Sequence, residues 1–150
     1  MDVSRHATSI IRPKRRIIMP ANLRIITIRD FLKLAPQGSQ DLRSLKQDLS
    51  EVASAHGAFL DYDLLIDTRG AETHLSVTDI WELAADLAKV IHAGASQSFR
   101  AKIPVLCPAK EFDHAQFFSL CAENRGLNVR AFTSFEDLFE WLSGSSSLNL

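Results

Sequence analysis

The stretch that decides the fold is "YDLLIDTRGAETHLSVTDIWELAADLAK", Tyr62 to Lys89. Leu64-Leu65-Ile66 is a continuous apolar run, the pattern of a strand buried on both faces of a parallel sheet. The run ends on Asp67, a polar loop follows, and a helix opens at Ser76. Ser76 with Asp79 three residues on predicts a capping box, in which hydroxyl and carboxylate satisfy orphan N–H groups reciprocally. Val77, Ile80, Trp81, Ala84, Leu87, Ala88 and Ile91 recur at helical spacing and predict a broad apolar side. Asp79, Glu82, Asp86 and Lys89 leave only a narrow polar stripe. Open α/β sheets built from such strand-loop-helix units bind ligands outside the carboxyl ends of their strands.

The same grammar extends in both directions. Arg15 to Met19 and Leu23 to Phe31 are rich in Ile and Thr, and Pro20-Ala21-Asn22 between them predicts a hairpin. Residues 1–13 show no clear period. Pro36-Gln37-Gly38-Ser39 breaks the chain, and a helix follows from about Asp41. Leu42, Leu45, Leu49 and Val52 stack on one face of it, and it ends at His56-Gly57, with Gly57 suited to a left-handed cap. Beyond Lys89, Ala93-Gly94-Ala95-Ser96 ends the helix and Lys102 to Cys107 is the next strand, closed by Pro108. Pro104 sits awkwardly there, because proline cannot donate to a ladder and favours edges or strand starts.

Phe112, Ala115, Phe118 and Ala122 mark the next helix, ended by Asn124-Arg125-Gly126. Leu127 to Phe132 alternates as a strand. In the last helix Phe135, Leu138, Phe139 and Leu142 face inward, Thr133 and Glu136 form a second capping box, and Gly144 ends it. The order β-β-α-β-α-β-α-β-α predicts an α/β fold with right-handed crossovers. Its sheet is mixed, mainly parallel, of about five strands, with the first strand antiparallel at an edge. Residues 1–14 read as a basic N-terminal arm, 15–143 as one domain and 144–150 as a flexible tail.

The totals fit one globular domain: 150 residues, 46 % hydrophobic and 23 % charged. A chain of this length needs no metal or disulfide staple. Cys107 and Cys121 form no framework and read as reduced thiols of a cytosolic protein. No apolar run approaches the roughly 20 residues of a membrane span. The net charge of −1 is unevenly spread. Residues 1–30 hold seven Lys and Arg against Asp2 and Asp30, a balance of +5 that leaves −6 for the rest. The cluster Arg12-Pro13-Lys14-Arg15-Arg16 would attract phosphates or an acidic surface, and reads most simply as a solvated arm. No aromatic precedes Phe31, so the stacking platform that nucleic-acid binding needs is missing beside it.

The series "YDLLIDTRG", "SVTDIWELAADL", "AKIPVLCP" and "FFSLCAENRGLNVRAFTSFEDLFEWL" resembles the STAS/SpoIIAA-like superfamily, and most of all its uncharacterised bacterial branch. The likeness covers roughly residues 15–143 and rests on patterns of fold more than of chemistry. It implies about four turns of a β-α superhelix and a non-enzymatic module that binds a partner or a small ligand. Anti-sigma-factor antagonists of this superfamily carry an Asp-Ser-Ser-Gly type motif at the start of the second helix, where a serine is phosphorylated. Here that place reads Leu75-Ser76-Val77-Thr78, without the Asp and the Gly, and a simple count sets Val77 on the modified position. Ser76 lies near the expected position, and its role as helix cap needs nothing beyond the residues present.

Candidate binding residues gather at the strand ends. Asp67, Thr68 and Arg69 end one strand, with His74 and Ser76 in the loop that follows. Lys110, Thr133 and Ser134 reach the same rim after the next two strands, where helix N-termini favour an anion. Asp67 and Arg69 read first as satisfying the loop backbone. His74, Ser76 and Asp79 are triad residue types, but they lie too close in sequence and no G-x-S-x-G elbow is present. His92, Cys107, His114 and Cys121 offer zinc-binding atoms without a zinc spacing. No G-x-G-x-x-G or P-loop occurs. The late aromatics Phe112, Phe117, Phe118, Phe132, Phe135, Phe139 and Trp141 read mainly as core.

The expectation is therefore no catalytic group, no metal and no cofactor. The first reading is a regulatory or protein-interaction module working through the Thr68–Val77 loop. The alternative is a binder of a small ligand, an anion or a lipid, at the strand-end rim. An edge strand near the basic arm would also allow a homodimer.

Overall fold

The computed structural model describes residues 8–11, 17–18, 25–26, 31–56, 63–94 and 102–144. The Arg12–Arg16 cluster, the turn at Pro20-Ala21-Asn22, Gly57 and residues 145–150 lie outside them. The main sheet has five strands in the order β1 (Thr8–Ile11), β4 (Phe31–Leu34), β6 (Asp63–Asp67), β8 (Lys102–Leu106) and β9 (Asn128–Phe132). β1 runs antiparallel to β4, and β4, β6, β8 and β9 are mutually parallel. β2 (Ile17–Ile18) and β3 (Ile25–Ile26) form a separate antiparallel pair. β5 (Gly38–Gln40) and β7 (Ala71–Thr73) form a small parallel pair of their own. The helices are α1 (Leu42–His56), α2 (Val77–Gly94), α3 (Phe112–Glu123) and α4 (Phe135–Ser143), with a 3-10 turn at Ala109–Glu111 before α3.

Strand alternation assigns the two faces. Leu32 and Leu34, Leu64 and Ile66, Ile103 and Val105, and Val129 pack with Leu45, Leu49, Val52, Leu83, Leu87 and Ile91 of α1 and α2 and with Cys121 and Ala122 of α3. Phe31, Leu65, Leu106 and Phe132 look the other way, onto Leu138 and Trp141 of α4. Three helices thus cover one face and α4 the opposite one. The caps follow local chemistry. The Asp79 N–H donates to Ser76 Oγ at 3.1 Å, and the Ser76 N–H donates back to Asp79 Oδ2 at 3.0 Å. Gly144, at φ 75°, takes the left-handed position that ends α4, where a Cβ would be strained.

The structure corrects several expectations. Residues 8–11 are not outside the sheet; they form its antiparallel edge strand. The Ile-rich hairpin exists, but as a separate pair, and the segment expected to end at Phe31 instead begins a new strand there. That strand, Phe-Leu-Lys-Leu, is short and carries Lys33, which hid it within the preceding Ile-rich run. Gly38–Gln40 is not only a break, because it pairs with β7. Pro104 sits in an interior strand after all. Pairing between β8 and β6 runs over Val105 and Leu106 only, beyond the proline, whereas β8 pairs with β9 along its whole length. A missing N–H is tolerated where the ladder on that side begins one residue later.

On α2 the apolar side is narrower than the spacing predicts. Val77 is 65 % and Trp81 52 % exposed, while Leu83 is buried. Trp81 is covered in part by the Arg125 guanidinium, 4.5 Å from its ring centroid. Phe135 and Phe139 are likewise at the surface, stacked on each other at 4.6 Å, and Trp141 takes the inner position beside Leu138. The cap of α4 is Ser134, not Thr133: its hydroxyl accepts from the N–H groups of Glu136 and Asp137.

Candidate functional site

The strand ends present two different environments, one on each face of the sheet. On the α4 side lies Asp67, 7 % exposed. Alternation along β6 sends Leu65 and Asp67 to this face, opposite Leu64 and Ile66. The Arg69 guanidinium donates to both carboxylate oxygens, Nε to Oδ1 at 3.0 Å and Nη2 to Oδ2 at 2.9 Å. The Arg69 backbone N–H adds a third bond to Oδ1 at 3.0 Å, and Lys33 Nζ lies 3.8 Å from Oδ2. Burial pushes the Asp67 carboxyl up, but the Arg69 hydrogen bonds and charge, with Lys33, outweigh it and hold the group below its ordinary value. A carboxylate with this many donors is a closed bracket that shapes the loop.

On the α1–α3 side the strand ends open into a cavity of about 100 Å³. Its floor is Leu34, Ile66, Thr68, Val105 and Cys107 at the ends of β4, β6 and β8. Leu45 and Leu49 of α1, Ile80 and Leu83 of α2, and Ala115 and Phe118 of α3 form its walls. The small side chains Thr68 and Ala115 leave the space that a larger residue would fill.

The β5–β7 pair and its flanks roof the cavity, contributing Pro36, Thr73 and Leu75. Backbone bonds hold the roof: the Gly38 N–H donates to the Gly70 carbonyl, and the His74 N–H to the Gln40 carbonyl, both at 2.9 Å. Gly38 stands at φ 75°, a conformation that a Cβ would strain. A side-chain latch ties the roof to the 3-10 turn, with Thr73 Oγ1 donating to Glu111 Oε1 at 3.0 Å. Glu111 is half-buried and His114, one turn on, is exposed, so both mark the solvent edge. Cys107 is a free, buried thiol. Burial, and then the Glu111 charge, push it up to about 11.

The residues expected at the rim are thus divided between these environments. Thr68 lines the cavity, and its hydroxyl donates to the Leu106 carbonyl at 3.4 Å. Asp67 and Arg69 pair on the other face. His74 is exposed, with Nε2 3.8 Å from Glu72 Oε1, an ion pair only when protonated. Ser76 caps α2 and Ser134 caps α4, Thr133 is exposed next to Ser134, and Lys110 is exposed in the 3-10 turn before α3. Of the zinc-type atoms, Cys107 and Cys121 are buried thiols and His92 Nε2 lies 2.9 Å from the Arg125 carbonyl oxygen. Among the described residues no three His, Cys, Asp or Glu side chains converge in a metal-binding group.

Thr73, Leu75 and Glu111 were not marked as binding residues in the sequence, and His114 stood out there only as a zinc-type ligand. The signal available for Glu111 was its place just past the strand closed by Pro108, beside the chosen Lys110. Thr73 had none, because its strand is three residues long.

No family model and no curated protein matches the chain. Among solved structures it is similar to an uncharacterized protein of the DUF3478 family from Shewanella loihica PV-4, described as having a SpoIIAA-like fold. The two are 14 % identical, and the likeness covers 91 % of this chain and 92 % of that one with a TM-score of 0.53. The chain has a SpoIIAA-like fold. In this SpoIIAA-like domain the place just before α2, where the resemblance set a phosphoacceptor, is occupied by the Ser76–Asp79 capping box. No helix among the described residues is long and apolar enough to cross a membrane.

Proposed function

We propose that the protein is a non-enzymatic, cytoplasmic binding module that holds a small apolar ligand in the cavity beneath the β5–β7 roof. One observation carries this reading: an apolar pocket at the strand ends, walled by three helices, partly covered by the β5–β7 strands and open to solvent at Glu111 and His114. Pockets with predominantly apolar walls and a few convergent polar groups are the usual form of small-molecule sites. The volume favours a small molecule over a whole lipid. An engineered apolar cavity of roughly 150 Å³ takes benzene, whereas drug-sized pockets run to roughly 300–1,000 Å³. Native mass spectrometry of the purified protein tests the reading, with Ala115→Leu as the cavity-filled control. A bound small molecule that is lost in the control is expected. Exclusively apo protein, with no uptake of added benzene or toluene, contradicts it.

A second reading, a regulatory or protein-interaction module, is favoured by the exposure of Val77 and Trp81 one turn apart at the head of α2, next to the Thr68–Val77 loop. Exposed apolar groups at such a place suit a protein partner. Co-purification of a partner that is lost on Trp81→Ala supports this reading, and retention after Trp81, Arg69, His74 and Ser76 are all replaced by Ala contradicts it. For both readings, turnover of a metabolite that disappears on altering Asp67 or His74 would contradict the non-enzymatic part.

A further inference from the structure

We infer, resting on the ligand-binding reading above, that the cavity selects a ring-sized apolar molecule carrying one hydrogen-bond-donating head, an alcohol or an amine, which docks on the Glu111 carboxylate. The lining decides the head. Among the described residues no lysine or arginine lines the cavity, and Glu111 is its carboxylate. Lys33 and Arg69 pair with Asp67 on the opposite face of the sheet, and Lys110, beside Glu111 in the chain, is exposed and outside the lining. An acceptor at the end of an apolar pocket wants a donor, and it rejects a second anion because like charges gain little screening there.

The structure also holds a precedent for the docking bond within the chain. Thr73 Oγ1 donates to Glu111 Oε1 at 3.0 Å across the roof, so a hydroxyl already sits where a ligand's head would. The ligand's donor either takes the second carboxylate oxygen or replaces Thr73. Glu111 also acts on the cavity floor, since its charge joins burial in raising the Cys107 thiol. The Glu111 carboxylate in the lining disfavours a carboxylate head, while the buried Cys107 thiol forms part of the wall. On this reading an acidic ligand is disfavoured, because Glu111 and, among the described residues, no lysine or arginine lines the apolar space.

The test is a matched panel with one ring and four heads: benzyl alcohol, benzylamine, toluene and benzoate. Binding to the full chain is measured by NMR titration at pH 8 and repeated in His114→Ala, which removes the imidazole from the lining. Benzyl alcohol or benzylamine is expected to bind at least about tenfold tighter than benzoate, and also tighter than toluene. Comparing the alcohol with the amine tells whether the donor is neutral or cationic. In Glu111→Gln the gap to benzoate should close to within about threefold, because the amide can donate as well as accept. Thr73→Val tests the same bond from the roof: Glu111 Oε1 is freed, so the preference for the alcohol over benzoate should persist or grow, and loss of that preference overturns docking on Glu111. Equal binding of all four heads overturns the head selection while leaving the cavity reading intact, and so does benzoate binding tightest. No binding of any of the four overturns the cavity reading itself.

Discussion

Arg69→Ala separates a structural role for Asp67 from a chemical one. In the native protein two guanidinium bonds at 2.9 and 3.0 Å, one backbone bond at 3.0 Å and Lys33 at 3.8 Å surround a carboxylate that is 7 % exposed. The substitution removes the first two and leaves the charge buried. Hydrogen bonds to charged groups contribute roughly 1.5–3 kcal/mol each. The Arg69 side chain is 52 % exposed, so solvent screening lowers that figure, and a total of about 1–3 kcal/mol is expected. At roughly 2–4 °C per kcal/mol for a domain of this size, Tm should fall by about 2–12 °C.

The pH dependence has a definite sign. Arg69 and Lys33 together overcome the cost of burial and depress the folded carboxyl below its value of 3.8. Stability from the bracket is therefore fully present above about pH 4 and is lost as pH falls through the folded value. Urea denaturation of wild type and variant between pH 3 and pH 7 should show a full gap at pH 5–7 that closes on acidification. A gap under about 0.5 kcal/mol at pH 7, or one that widens toward pH 3, would refute the bracket.

Other substitutions have similarly direct readouts. Ser134→Ala should cost about 1 kcal/mol in chemical denaturation, because it removes the acceptor for two N–H groups of α4; Thr133→Ala should cost less than about 0.5 kcal/mol. Leu87→Ala, at a fully buried position, should cost about 2–5 kcal/mol in the same assay. The Cys107 thiol, raised to about 11, is a thiolate in roughly one molecule in a thousand at pH 8. Labelling by a disulfide reagent should therefore be far slower in native protein than in urea, and similar rates would contradict its burial.

Much of the scaffold was legible because burial writes a period into sequence. The run Leu64-Leu65-Ile66 announced an interior strand, Leu42, Leu45, Leu49 and Val52 announced the face of α1, and the Ser76–Asp79 pair announced the start of α2. The β5–β7 roof was not legible. Gly-Ser-Gln and Ala-Glu-Thr have no apolar alternation, and they form strands because distant backbone groups meet. Periodicity also overcounted at Val77, Trp81, Phe135 and Phe139. It records which residues share a helix side, but not where the neighbouring element stops covering that side. The cavity left no mark for a simple reason: empty space carries no residue, and short side chains such as Thr68 and Ala115 line it. Asp67 and Arg69 bond to each other within their loop, and their facing away from the cavity follows from a strand register that only the fold defines.

The most direct measurement is a methyl NMR titration of the protein with toluene. Saturable shifts should concentrate on Leu45, Ile66, Ile80, Leu83, Val105 and Ala115, which face the cavity from three helices and two strands. They should vanish in Ala115→Leu. Shifts that never saturate, or that gather on exposed Val77 while the cavity methyls stay still, would contradict a ligand-holding interior.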